Sequence, residues 1–330
     1  MKKILMIATG GTIACRVSES GGLSPALSSR EIVEYVPELA EICDIHLTQL
    51  FNLDSTNIGP EQWLAIAGEV ARNMDAYDGI VITHGTDTMA YTAAALSYLI
   101  QNPKIPIVFT GSQKSISSRD TDARYNLICA FRYASSDAAW GVQIVFDGKV
   151  ILGTRARKVR SKSLNAFASI DFPETAVFHD QRLIPYLPAP PAAPMKVYTQ
   201  LDPRVFNLKL IPGITADIFA FLTGRYRAVI IEGFGVGGLP GYNDGALLKA
   251  VTEWVGSGHL AVLSTQVQHE GSDIAVYDVG RSAVQLSGLL EAGAMTPEAV
   301  STKLMWALAA GSDMREVEAL FRTPVQFDII

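Results

Sequence analysis

Hydrophobic positions fall into two alternating patterns along the chain. Short, near-continuous apolar runs, as in KILMIAT (3–9), GIVIT (79–83) and IPIVFT (105–110), have the length and Ile/Val content of strands buried on both faces. CDIHLTQLF (43–51) reads as a further strand, and GVQIVFDGKVILG (141–153) as a strand and hairpin with Asp-Gly at its tip. Between them lie helix-length amphipathic stretches. GPEQWLAIAGEVARNM carries Trp63, Ile66, Ala67 and Val70 at helical spacing behind Pro60, SSREIVEYV opens on a serine cap, and YTAAALSYLI is a third helix. This alternation predicts an α/β protein with a mostly parallel sheet flanked by helices. The segment IPYLPAPPAAP (184–194) then holds five prolines and no periodicity. Beyond it the rhythm resumes on a smaller scale in FNLKLIPG, RAVIIEGFG, DGALLKAVTEWVGSG, HLAVLSTQ, TPEAVSTKLMWALAAG and SDMREVEALF. The expected organisation is a larger N-terminal α/β domain over 1–187, a Pro-rich linker over 188–205 and a smaller C-terminal α/β domain over 206–330.

Composition narrows the function classes. A net charge of −6 argues against a nucleic-acid-binding surface. No apolar run approaches the roughly 18 residues of a membrane span, so no membrane partner is expected. The three cysteines, Cys15, Cys43 and Cys129, are scattered without metal-ligand spacing, which fits a reducing compartment. The opening MKKILMIATGG imitates a signal peptide, but its apolar run meets two glycines without a small-residue cleavage site and reads as a first strand. A cytoplasmic location follows as the expectation.

Several familiar chemistries lack their residues. TGGTIA (9–14) has neither the frame nor the lysine of a phosphate loop, and neither G-x-S-x-G nor H-E-x-x-H occurs. GFGVGG (233–238) fits G-x-G-x-x-G after a strand, but Pro240 and Gly241 stand where the helix would open, so it is a weak dinucleotide signal. The five histidines stand singly; no metal is expected. What remains is TGGT (9–12), HGTDT (84–88) and the basic TRARKVRSK (154–162). A threonine at a glycine turn can act as a nucleophile if a neighbour takes its proton, and the glycines leave backbone N–H groups for an oxyanion. Caps and tight turns are the commoner use of such residues. Most of the five basic charges read as a solvated face, with room for one lysine turned inward to move protons.

Taken together, ATGGTIA and ITHGTDTM resemble the two signature motifs of bacterial-type L-asparaginases. The resemblance runs the length of the chain through NLDSTNIGP, VFTGSQ, GTRARKVRSKSLNAFASI, IIEGFGVGG and TKLMWAL, and is nearest the cytoplasmic, type I branch. It implies a two-domain α/β hydrolase without cofactor, a homodimer or dimer of dimers, whose small-molecule substrate is L-asparagine, with L-glutamine weaker. Residue by residue it implies that Thr12 attacks the side-chain amide carbon, forming a β-aspartyl ester that water hydrolyses. Thr86, Asp87 and Lys158 would form a proton-relay cluster, with Gly11, Asp54, Ser55 and Ser112 holding substrate beside Thr86 and Asp87. A related transfer-RNA amidotransferase component shares the fold but carries an extra N-terminal domain, which is not expected here because the first strand is read as starting at residue 3.

One position departs from the pattern. Many members place a tyrosine that bonds the nucleophile in the loop after TGGTI; here that position is Gly22, and no tyrosine lies between Thr12 and Tyr35. Tyr277, in IAVYDVGR, falls near where a neighbouring subunit reaches into the site in the family. Three rivals stay open: a broader asparaginase and glutaminase, since one methylene is worth only roughly 1–3 kcal/mol of discrimination; a non-catalytic amino-acid sensor, kept alive by Gly22; and a dinucleotide-dependent oxidoreductase resting on GFGVGG.

Overall fold

A computed structural model describes residues 1–17, 23–276 and 287–330, which divide into two compact units, Met1–Thr199 and Gln200–Ile330. The first unit is built on an eight-stranded sheet. Its strands are β1 (Lys3–Gly10), β2 (Asp44–Leu53), β3 (Gly79–Thr83), β4 (Ile107–Thr110), β5 (Val142–Phe146), β6 (Lys149–Leu152), β7 (Ala176–His179) and β8 (Arg182–Pro185). Their spatial order is β8-β7-β6-β5-β4-β3-β1-β2, parallel from β2 through β5 and antiparallel from β5 to β8. The hairpin between β5 and β6 turns on Asp147 and Gly148, both with positive φ, as the Asp-Gly signal predicts. The last antiparallel pair reaches into the proline-rich stretch: Ile184 and Pro185 lie in edge strand β8, where a missing N–H costs no ladder bond.

Both faces of this sheet are covered, which is why its strands read as continuous apolar runs. On one face Ile4, Met6, Ala8, Val81, Val108 and Val145 meet α1 (Ser29–Glu34) and α4 (Ala123–Ala134) through Ile32, Leu127 and Phe131. On the other, Leu5, Ile7, Ile80, Ile82 and Phe109 are also buried, alongside the apolar faces of α2 (Pro60–Asn73) and α3 (Met89–Leu99). Each such side chain contributes about 1.5–3 kcal/mol on burial, so register is strongly specified. That register aligns Ala8 with Thr83 and Thr83 with Thr110, bringing the parallel strands to an end along one line.

The second unit carries a four-stranded, fully parallel sheet of β9 (Val205–Lys209), β10 (Ala228–Gly233), β11 (Leu260–Thr265) and β12 (Leu289–Glu291), in sequential order. Among the described residues, the helices α5 (Ile218–Leu222), α6 (Tyr242–Gly256), α7 (Pro297–Ala310) and α8 (Met314–Arg322) belong to the same unit. Its core gathers Leu208, Val229, Ile231, Leu247, Val251, Trp254 and Leu263. The glycine-rich GFGVGG closes on itself, with Phe234 bridged to Gly238, and α6 opens only at Tyr242, so it does not form a helix-opening phosphate cradle. No described helix is long and apolar enough to cross a membrane.

Candidate active site

The carboxyl ends of β1, β2 and β3 converge through close contacts at three glycines, two of them onto backbone and one onto a serine side chain. Gly10 has φ +102°, and a Cβ there would lie 2.4 Å from Leu53 N at the end of β2. A Cβ on Gly11 would lie 2.3 Å from Gly85 Cα, and one on Gly85 would lie 2.5 Å from Ser55 Oγ. The Gly11 N–H also donates to the Leu53 carbonyl at 2.9 Å. Thr12 and Thr86 thus each follow one glycine of a contacting pair, with Ser55 against the second glycine. Thr12 opens a short 3₁₀ turn, Thr12–Ala14, and is partly exposed. Thr-Gly-Gly-Thr after a strand is therefore a close-packed turn at the carboxyl end of the sheet, the end at which open α/β sheets bind ligands.

Lys158 reaches this place from a short strand, Ala156–Lys158, paired antiparallel with Phe167–Ser169. Its ammonium donates to Thr86 Oγ1 at 2.7 Å and to Asp87 Oδ1 at 2.6 Å. Thr86 in turn donates to Gln113 Oε1 at 3.0 Å. Gln113 is fixed from both ends: its backbone N–H donates to Asp122 Oδ2 at 2.9 Å, and its Nε2 donates to the Ser163 carbonyl at 3.2 Å. The buried Thr86 hydroxyl thus accepts from Lys158 Nζ and donates to the Gln113 amide oxygen. The Lys158 side chain is 16% exposed and that of Asp87 58%, so the pair has one open side.

The basic segment needs correction at one position. Arg155 is fully buried, with its guanidinium 5.6 Å from the centre of the Phe172 ring. A solvated face describes Arg160 and Lys162, which are exposed; at Arg155 the chain is leaving β6 and still lies inside the fold.

The other candidate residues divide by what their side chains do. Asp54 Oδ1 accepts from both the backbone N–H and the hydroxyl of Thr56 at 2.9 Å, so it closes β2 as an Asx turn. Its charge is also felt at Cys15, whose thiol is pushed up first by burial and then by Asp54. Ser55 is buried and its carbonyl accepts from Thr88 Oγ1 at 2.7 Å. Ser112 is buried just past the end of β4, and its hydroxyl donates to the Lys114 carbonyl. Gly22 and Tyr277 lie outside the described residues. Among the described residues, no group of three His, Cys, Asp or Glu side chains is placed to hold a metal ion.

Three residues of this neighbourhood are given no role by the sequence, although His84 opens the HGTDT motif and Gln113 ends VFTGSQ. Gln113 and Asp122 belong to the support of Thr86, and His84 is fully buried directly behind the HGTDT turn. The only trace of Gln113 is its place in TGSQ, next to Ser112.

Fold and site together define an α/β enzyme that gathers hydroxyl, amine and carboxylate groups at the strand ends of its larger unit. Comparison with known proteins makes this specific. The family model Asparaginase, N-terminal matches residues 3–189, and Glutaminase/Asparaginase C-terminal domain matches 204–321. An L-asparaginase of Thermococcus kodakarensis is 39% identical over 329 residues, 99% of each chain. A solved structure of the thermostable L-asparaginase from that organism superimposes with a TM-score of 0.91 at 38% identity, again over 99% of each chain. A glutamyl-tRNA(Gln) amidotransferase component from Pyrococcus furiosus is 35% identical over 97% of this chain and 75% of its own. The chain belongs to the asparaginase family and is an amidohydrolase.

Proposed function

We propose that this enzyme hydrolyses free L-asparagine to L-aspartate and ammonia with Thr12 as nucleophile. The observation that carries the reading is the Lys158–Thr86 contact of 2.7 Å beside the Gly11–Gly85 contact, which sets an amine-linked hydroxyl next to the turn bearing Thr12. Thr12 Oγ1 attacks the side-chain amide carbon, its proton passes through Thr86 Oγ1 to the Lys158 nitrogen, and the carbonyl oxygen becomes an oxyanion held by backbone N–H groups. Collapse expels ammonia, which takes up that proton, and leaves a β-aspartyl ester on Thr12. Water then attacks the ester with the same relay as base, releasing aspartate. Asp87 and Asp54 bind the substrate ammonium, Ser55 binds its carboxylate where Gly11 leaves room for it, and the Ser112 backbone accepts from the departing amide. The protein works in the cytoplasm as a homodimer or dimer of dimers and needs no cofactor.

A silent sensor is disfavoured because the Lys158–Thr86–Asp87 cluster would then serve no purpose at the ligand. The amidotransferase relative is by its name one part of a larger enzyme, whereas this reading requires turnover by the chain alone. Ammonia release from L-asparagine and L-glutamine by the purified protein tests it. Release from asparagine at least about tenfold faster than from glutamine is expected, the size one methylene allows. Equal rates would make the enzyme a broad amidohydrolase, and release from neither would remove the reading.

A further inference from the structure

Resting on the reading above, we infer that His84 is a positioning residue for the reaction: its imidazole ties the Gly85 carbonyl to α3 and thereby aims Thr86 at Lys158. His84 performs no chemistry itself, being fully buried behind the turn. Its Nδ1 stands 2.7 Å from the Gly85 carbonyl oxygen. A carbonyl only accepts, so Nδ1 carries the hydrogen. Burial holds the ring neutral, its pKa lowered to about 4 against the opposing effect of the Gly85 bond, and Nε2 is therefore a bare acceptor. Thr92 Oγ1, 2.9 Å away, is the group that donates to it. Thr92 has an alternative acceptor in the Thr88 carbonyl at 3.2 Å, so its choice of the ring is a real commitment of its one proton.

The consequence lies in the next peptide unit. The Gly85 carbonyl shares its plane with the Thr86 N–H, so fixing that oxygen fixes the direction in which the Thr86 side chain leaves the turn. Thr86 Oγ1 must satisfy Lys158 at 2.7 Å and Gln113 at 3.0 Å together, which leaves it little angular freedom. The His84 backbone is also pinned, its N–H donating to the Thr110 carbonyl at 2.9 Å and its carbonyl pressed 2.2 Å from where a Cβ on Gly111 would be. A ring anchored on its own strand and on α3 is thus the fixed point from which the catalytic turn is aimed. Displacing a catalytic group by about 1 Å costs on the order of a hundredfold in rate.

The test uses substitutions that each keep one of the two bonds. His84→Asn retains a donor at the Nδ1 position, His84→Gln retains an acceptor near Nε2, and Thr92→Val removes the helix partner while leaving the ring. Ammonia release from L-asparagine and calorimetric binding of L-aspartate are measured for each, with thermal unfolding as the folding check. Thr92→Val and His84→Asn, which both cut the tie to α3 and keep the Gly85 bond, are expected to lose kcat alike, about 10-fold, and His84→Gln, which frees the Gly85 carbonyl, about 100-fold, with aspartate Kd and KM within about threefold in all three. Equal rates in His84→Asn and His84→Gln, or a loss confined to KM and Kd, would overturn the proposal. If His84→Gln does not fold, Thr92→Val decides the same question from the other side. A wild type that releases no ammonia removes the functional reading as well; an active wild type with indifferent variants removes only the role of His84.

Discussion

Two Lys–Asp pairs of nearly the same length sit in opposite surroundings in this molecule. Lys303 and Asp328 meet at 2.7 Å with both side chains 0% exposed. Lys303 also donates to the Thr323 carbonyl at 2.8 Å and stands over the Phe321 ring, while Asp328 accepts from the Val325 N–H at 2.7 Å. Burial pulls Lys303 down and Asp328 holds it up, a balance that keeps the chain's end fastened to α7. Lys158 and Asp87 meet at 2.6 Å, yet that pair is open on one side and shares its lysine with Thr86. On the proposed reading the sealed pair, held by further bonds, is architecture, and the open pair, which shares its lysine with a hydroxyl, serves the chemistry.

Cutting each pair at its lysine is the sharpest way to break that contrast. Lys158→Met and Thr86→Val should each lower kcat at least about a thousandfold while leaving the unfolding midpoint near wild type, because they remove proton transfer and not packing. Lys303→Met should do the reverse, costing about 3–5 kcal/mol of unfolding free energy by stranding the Asp328 carboxylate, with kcat spared in the folded fraction. Urea titrations beside ammonia assays separate the two, and matched losses in both assays for both lysines would dissolve the distinction.

A smaller effect sharpens it through pH. His84 is depressed to about 4 in the fold and near 6.5 when unfolded, so the unfolded chain binds more protons between those values. Stability conferred by keeping this ring neutral is present above about pH 6.5 and falls away towards pH 4, by an amount of about 3 kcal/mol at most. Comparing unfolding at pH 7 and pH 4.5 for wild type and His84→Asn isolates it; an identical pH slope in both would show that the buried ring contributes nothing.

Legibility in the sequence follows periodicity. The apolar run ending at TGGT, the capped helix behind Ser28 and the Asp-Gly hairpin are all visible, since local pattern and tertiary role coincide there. Lys158 stands out from its basic neighbours only by family resemblance, and Arg155 reads as surface because charge composition does not record which side of a turning chain faces inward. Gln113, Asp122 and His84 act through hydrogen bonds across 27, 9 and 8 residues, to Thr86, Gln113 and Thr92, and such bonds leave no period in the sequence. The proline-rich stretch hides the end of β8, because an edge strand tolerates proline that an inner strand would not.

That the strand-end turn TGGT supplies the nucleophile is the claim on which the rest depends. Ammonia release from L-asparagine by Thr12→Ala, set beside wild type at equal folded concentration, tests it most directly. The expected result is a loss of at least about a thousandfold with unchanged unfolding. Turnover at the wild-type rate would contradict it and move the reacting hydroxyl elsewhere.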